Sequence, residues 1–307
     1  MHVADLVNEL VWSHSRSRAF EGCKRAYWYA YYGSWGGWGA NAPAEARAAY
    51  VQKKLTTRAM WIGTVVHRVA EELLRDARDG RQTPTLDDVV SSVRTRCEKD
   101  VRESADGSWL QRPAKRVGFR EHYYEEGASE ADWAQAIDEI ERQLRGLWTQ
   151  RLFQRLLAVP SRIRELEDMR RFAVGDVDVW VVLDVLVDDG RGGVVILDWK
   201  TGGHHDDAEI RAQLGVYGLY ATAELGIAAD AIVAMHVNLR HNEETKHAVG
   251  EAEIALAKET IRDSTARMRA LLVDVEQNIA DPGAYPTLDP GSEDCRRCGF
   301  RGICGRR

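Results

Sequence analysis

The chain holds 307 residues, 44% of them apolar, with no apolar run long enough to span a bilayer, so it can build a substantial core and does not read as a membrane protein. Its formal net charge of −6 argues against a general nucleic-acid coat, but leaves room for an acidic site with a local basic track beside it. No charged and then apolar leader opens the sequence, so a cytoplasmic setting with free thiols is expected rather than disulfides.

In chain order, residues 1–75 read as helices interrupted by a flexible GSWGGWGANAPAEA loop at 33–46. They carry Cys23 in an aromatic and basic segment, and His67 in WIGTVVHRVAEELL, the start of an amphipathic helix. A lone histidine there is ordinarily a core or surface residue. Its position four before Glu71 puts both on one helical face, which favours a metal ligand or a hydrogen bond supporting one. Residues 76–160 read as a helical insertion, in which Trp133, Ile137, Ile140, Leu144 and Leu147 recur at steps of four and three and form a core stripe ending before Pro160. A sheet is expected over 162–200, with Phe172 and Val174 early in it, then a helix near 207–225 and a strand at 230–239. A long helix at 251–280 leads to Pro282, Pro286 and a cysteine-rich end. This order predicts an α/β fold with a mixed central sheet flanked by helices.

The chemistry concentrates at 178–200. Two runs rich in Val, Ile, Leu and Trp, 178–187 and 194–200, flank the turn-forming DDGRGG and predict a β-hairpin. Side chains two apart on a strand share a face, so Asp198 and Lys200 lie side by side and Asp184 meets them from the partner strand. Buried charges require pairing or a metal, and two carboxylates with a lysine suit a hard divalent ion such as Mg2+ or Mn2+ working on a phosphodiester. Lys200 could orient or deprotonate a water, or neutralise transition-state charge. The bland alternative is an Asp–Lys salt bridge at a sheet edge with Asp184 in a turn. Gln213 and Tyr217, four apart on the following helix, could equally be core residues. His204 and His205 sit in a Gly-rich turn, where solvation is the simpler reading.

Of five cysteines, Cys295, Cys298 and Cys304 form C-x2-C-x5-C near the C-terminus and Cys23 stands near the N-terminus, while Cys97 is a spare thiol in a charged helical stretch. Four thiolates suit tetrahedral zinc or an iron–sulfur cluster, and spacing alone leaves both open.

Five motifs in one order now resemble the PD-(D/E)XK nuclease superfamily, in its RecB-like branch with the CRISPR-associated exonucleases and helicase–nuclease domains. They are SHSRSRAFEGCKRAYWYAYYG at 13–33, GTVVH at 63–67, Leu183–Asp184, DWKTG at 198–202 and QLGVY at 213–217. The resemblance implies a restriction-endonuclease-like sheet, His67, Asp184 and Asp198 as metal ligands, Lys200 as the catalytic lysine, and Gln213 with Tyr217 placing DNA or the active-site water. Leu183 stands where many members have proline. The resemblance further implies that Cys23, Cys295, Cys298 and Cys304 hold a [4Fe-4S] cluster, with zinc as the alternative. The whole chain would then be one nuclease domain whose segment 283–307 is joined to the helix around Cys23. Such a staple would set Lys24, Arg25, Tyr27, Trp28 and Tyr31 against Arg296, Arg297 and Arg301. That corner is either a single-strand binding surface or a helix packing its aromatics inward. The resulting expectation is a metal-dependent DNA exonuclease acting on single-stranded ends. The alternatives are a DNA-processing subunit of a CRISPR-adaptation, helicase–nuclease or phage-defence complex, and a non-catalytic zinc-stapled protein.

Overall fold

The computed structural model describes residues 6–202, 207–241 and 243–305. His204 and His205 lie outside the described residues. A mixed five-stranded sheet forms the centre, with β3 (Ile163–Leu166), β6 (Val185–Asp188), β7 (Val194–Lys200), β8 (Ile232–Asn238) and β9 (Glu243–Ala248) in the spatial order β3-β6-β7-β8-β9. Among the described residues of this sheet, only β7 and β8 run parallel. A parallel pair requires a crossover, and α9 (Asp207–Leu225) supplies it, which ties the DWKTG strand directly to the QLGVY helix.

Alternation along β7 sorts its side chains between two cores. Val194 and Ile196 enter a core shared with α9, α10 (Glu251–Arg269) and the N-terminal aromatics, whereas Leu197 and Trp199 enter a second core shared with α4 (Arg58–Arg78), α5 (Leu86–Ala105), α7 (Glu130–Thr149) and α8 (Arg151–Ala158). Because both faces are covered, the strand is apolar nearly throughout, as expected of a central strand. Asp198 and Lys200 continue the face of Val194 and Ile196, the α9 side.

The expected stripe on α7 is buried, and Ser129 and Asp132 form a capping box that starts the helix. Thr57 caps α4 by accepting from the Met60 amide. The 76–160 region is mostly helical, with turns between its helices and one two-residue strand, β2 (Gly118–Phe119), which pairs with β1 (Leu55–Thr56). It shares one core with α4 and the sheet. Cys97 is 1% exposed in that core, so the spare thiol of a charged helix is a packing residue.

Three expectations need correction. The run 178–187 is not one strand of a hairpin: β5 (Val177–Val182) pairs with β4 (Met169–Val174) in a separate ribbon, the chain breaks at Leu183–Asp184, and β6 then pairs with β7. The helix expected to reach 280 stops at Arg269, and β10 (Leu272–Asp274) and β11 (Ile279–Ala280) follow as a hairpin in which Asn278 adopts φ 51. Asn278 binds the Asn8 carbonyl at 2.9 Å and the Tyr32 hydroxyl at 3.0 Å, anchoring the N-terminal segment. The 33–46 loop is packed rather than flexible, its Trp35 and Trp38 rings meeting edge to face at 5.0 Å and Trp38 resting on Tyr50 of α3 (Ala44–Lys53).

Candidate active site

Asp198 is 1% exposed on β7, and two residues on, the Lys200 Nζ donates to its Oδ1 at 2.8 Å. The same ammonium donates to Gln213 Oε1 at 3.2 Å, and Gln213 Nε2 donates to the Tyr217 hydroxyl at 2.6 Å. Helical spacing explains the relay: residues four apart on α9 stack on the face turned towards β7. Gly218 on α9 makes this seat possible, because a Cβ there would meet Val249 Cγ1 at 2.1 Å.

Asp184 occupies the break between β5 and β6, where the register Val185↔Leu197 brings it opposite Asp198. Its Oδ2 accepts from the Trp199 amide at 2.7 Å, and the Glu167 amide donates to the carbonyls of Leu183 and Asp184 at 2.9 and 3.2 Å. These bonds satisfy the backbone groups that the strand break exposes. On the third side stands His67 of α4. Its Nδ1 lies 3.4 Å from Glu167 Oε1 and 3.6 Å from Asp184 Oδ2. The helix approaches so closely because residue 63 is glycine: a Cβ at Gly63 would sit 2.5 Å from Thr201 Oγ1.

Among the described residues, the one group of three or more ligand-type side chains with atoms within 4.8 Å of one another is His67, Glu167 and Asp184. Glu167 joins His67 and Asp184 in this trio, and Asp198, which the sequence reading also named as a ligand, lies beside it paired with Lys200. Glu167 went unnoticed because ELED reads as a charged turn. In the structure it is a non-glycine residue at φ 49, a strained conformation that marks it out.

The electrostatics describe a site short of positive charge. Burial pushes the Asp184 carboxyl above its ordinary range, with Glu167 adding to the rise and His67 and Lys200 opposing it. Burial likewise raises Asp198, reinforced by Asp184 and opposed by Lys200. Burial alone would lower His67, but Asp184 and Glu167 outweigh it and raise the imidazole to about 9. Burial, with Asp198 and Asp184, holds the Tyr217 hydroxyl well above its ordinary value, so it serves as a hydrogen-bonding group and not as a base. Crowded, elevated carboxyls beside a histidine are the donor set a hard divalent cation fits, since such an ion would relieve the repulsion.

The cysteines gather elsewhere. Cys23 sits between α1 (His14–Gly22) and α2 (Lys24–Trp28), and with Cys295, Cys298 and Cys304 it lines one small cavity of about 30 Å3. Burial raises the Cys298 thiol, and the charges of Cys23, Cys304 and Cys295 add to the rise. Tetrahedral zinc with Zn–S of about 2.3 Å would draw its sulfurs to roughly 3.8 Å apart.

The aromatic and basic corner resolves mainly as packing. Tyr27 is fully buried against Phe20 and Tyr285, so it presents no surface for a base. Arg25 Nε donates to the Tyr285 carbonyl at 2.9 Å, Lys24 lies over the Phe20 ring, Arg16 lies over Tyr31, and Trp28 packs against Gly33. These segments turn inward because buried Arg16 recruits the Tyr27 and Tyr32 hydroxyls and the carbonyls of Glu9 and Val11. Arg296 and Arg297 remain exposed, and Arg301 stacks on Tyr124.

A family model described as PD-(D/E)XK nuclease superfamily matches residues 11–305, a span containing every side chain of the site. No curated protein matches the chain. One solved structure, described as "Crystal structure of SSO0001", is 16% identical over 81% of this chain and 98% of its own, at a TM-score of 0.32, a likeness that carries no argument about the site.

Proposed function

The chain belongs to the PD-(D/E)XK nuclease superfamily, a group of metal-dependent nucleases, and from that premise we propose that it is an exonuclease acting on the ends of single-stranded DNA. The observation that carries the reading is the convergence of Lys200, held by Asp198 and Gln213, upon the trio of His67, Glu167 and Asp184. His67, Glu167 and Asp184, with Asp198 beside them, would hold Mg2+ or Mn2+. When bound, the ion supplies a water of lowered pKa and neutralises charge on the phosphate.

The chain's own residues do the rest. Lys200, aimed by Asp198 and Gln213, keeps an ammonium where negative charge develops on the phosphate. Gln213 fixes that ammonium and is fixed by Tyr217, so the donor needs no reorganisation during the reaction. Burial of Asp184 and Asp198 keeps bulk water from competing for the site.

We further propose that Cys23, Cys295, Cys298 and Cys304 bind a [4Fe-4S] cluster, which suits a reducing cytoplasm. Their convergence on one cavity supports a shared metal group, and the family resemblance favours the cluster over zinc. Among the described residues no helix is long and apolar enough to cross a membrane.

The test is incubation of the cluster-intact protein with end-labelled single and double strands in Mg2+ or Mn2+. Mononucleotide or short products from single-stranded ends are expected, and Asp198→Ala and Lys200→Ala should each lower kcat by at least about 100-fold with DNA binding retained. Near-normal turnover by either variant would end the assignment, and internal cuts in a circular strand would replace exonuclease with endonuclease.

A further inference from the structure

A cavity of about 440 Å3 opens directly above Lys200, Gln213 and Tyr217, between the start of α1, the β4–β5 ribbon and α9. Its size falls in the range of about 300–1,000 Å3 that holds small organic ligands. One wall is unusual for a surface ribbon. Antiparallel register sets Met169 opposite Val182 and Arg171 opposite Trp180, and alternation brings Met169, Val182 and Trp180 to the same outer face. Their exposures are 62%, 39% and 41%, so three large apolar side chains face solvent together at the mouth of the site. Gathered at the mouth of a cavity, these side chains offer an apolar face to a ligand.

The opposite wall is polar. His14 and Arg18 of α1 line it, Arg18 pairing with Glu209 at 2.5 Å, and the buried His14 Nε2 has no hydrogen-bond partner among the described residues. An apolar wall facing a hydrogen-bonding one, with the catalytic lysine as floor, matches a nucleotide: base to one side, sugar and phosphate to the other.

We propose that the β4–β5 ribbon is the base-stacking wall of the substrate strand, with the Trp180 ring receiving an unpaired base of the nucleotide next to the scissile phosphate and His14 and Arg18 facing its backbone. This rests on the nuclease reading and deepens it. Lys200, Gln213 and Tyr217 line this cavity, so the part of a substrate strand next to the phosphate at Lys200 would enter it, and this favours a nucleotide over a peptide or lipid. Stacking also supplies a physical basis for strand preference, because a base within a duplex already has both faces covered by its neighbours and must leave the stack to meet Trp180. The break at Leu183–Asp184 connects wall and site: the strand that carries Trp180 leads within four residues to Asp184.

The experiment is a cycle between protein and substrate. Single-stranded DNA oligonucleotides carrying one abasic nucleotide, moved stepwise from the labelled end, are cleaved by wild type, Trp180→Ala and Trp180→Phe. Base stacking on an aromatic side chain corresponds to roughly 5- to 150-fold in affinity. Trp180→Ala should therefore raise KM by about tenfold with kcat kept within a few-fold, and Trp180→Phe should restore most of it. One abasic position should impose the same loss on wild type and none on Trp180→Ala. Equal KM for intact and abasic strands in wild type at every position, or losses that simply multiply with Trp180→Ala, would overturn the stacking wall while leaving the nuclease reading in place. No cleavage of any strand by wild type in either metal would overturn both. The abasic scan on wild type decides the question even if Trp180→Ala folds poorly.

Discussion

Three titrating side chains at the site push metal-free stability in one direction. Asp184 and Asp198 are raised above their unfolded values, chiefly by burial, so the folded chain binds more protons than the unfolded one and stability falls as pH climbs past the ordinary carboxylate range. His67, raised to about 9, contributes stability that is fully present below about 6.5 and lost as pH rises through about 9. In EDTA the melting temperature should therefore decline between pH 6.5 and 9, and His67→Ala should flatten that decline. Since a metal binds neutral imidazole, Mn2+ should raise the melting temperature more at pH 8.5 than at pH 6.5. A decline of equal size in His67→Ala would remove the histidine from the trio. The same crowding predicts that Asp198→Asn abolishes cleavage yet stabilises the metal-free protein by about 1–2 kcal/mol, roughly 2–3 °C, readable by calorimetry. A destabilised Asp198→Asn would mean that the Lys200 pair outweighs the burial of the carboxylate.

At the scale of elements, the D-x-K strand was legible because period-two alternation alone sets Asp198 and Lys200 on one face, and the Gln213–Tyr217 face was legible from helical spacing. The break at Leu183–Asp184 was not. The run from Val177 to Val187 contains no proline or glycine breaker, and what ends the strand is tertiary: the Trp199 amide goes to the Asp184 carboxylate and the Glu167 amide to the freed carbonyls. Glu167 was invisible for the same reason, since its role comes from a left-handed backbone and not from a pattern. The close approach of α4 to β7 gives a prediction at this scale. Gly63→Ala places a methyl 2.5 Å from Thr201 Oγ1, and where the Thr201 side chain is held in place, helix and strand end separate and His67 shifts relative to Lys200. Overpacking of this kind amounts to about 1–3 kcal/mol, and kcat should fall by tenfold or more. Thr201→Ala removes the opposing hydroxyl, so the double variant should recover activity. Failure of that rescue would show that the glycine serves something other than the Thr201 contact.

Across the whole molecule, the meeting of the N-terminal helices with the C-terminal loop was legible only through the cysteine pattern and the resemblance it supports, because no local periodicity reports a contact between residues more than 270 apart in sequence. The inward turn of the aromatic segment was not legible, since exposed and buried Tyr–Trp runs look alike until Arg16 and Tyr285 are seen to claim them. Direct contacts also join the two ends: the Tyr29 ring stacks on Phe300 at 5.5 Å, its hydroxyl donates to the Ile303 carbonyl, and Arg25 donates to the Tyr285 carbonyl. A cluster added to these contacts would restrain the unfolded chain as a long closed loop, a contribution on the order of 3–5 kcal/mol. Replacing Cys23, Cys295, Cys298 or Cys304 by Ser should therefore remove the bound iron and the brown colour, and lower the melting temperature by roughly 5–8 °C, while the central sheet still folds and far-UV circular dichroism is kept. The control is Cys97→Ala rather than Cys97→Ser, because a hydroxyl at that fully buried position would destabilise the core for reasons unrelated to iron. Iron content should be unchanged in the control. Wild-type protein that is colourless and carries one zinc would replace the cluster with the metal, and full iron in Cys23→Ser would leave the C-terminal trio without its N-terminal partner.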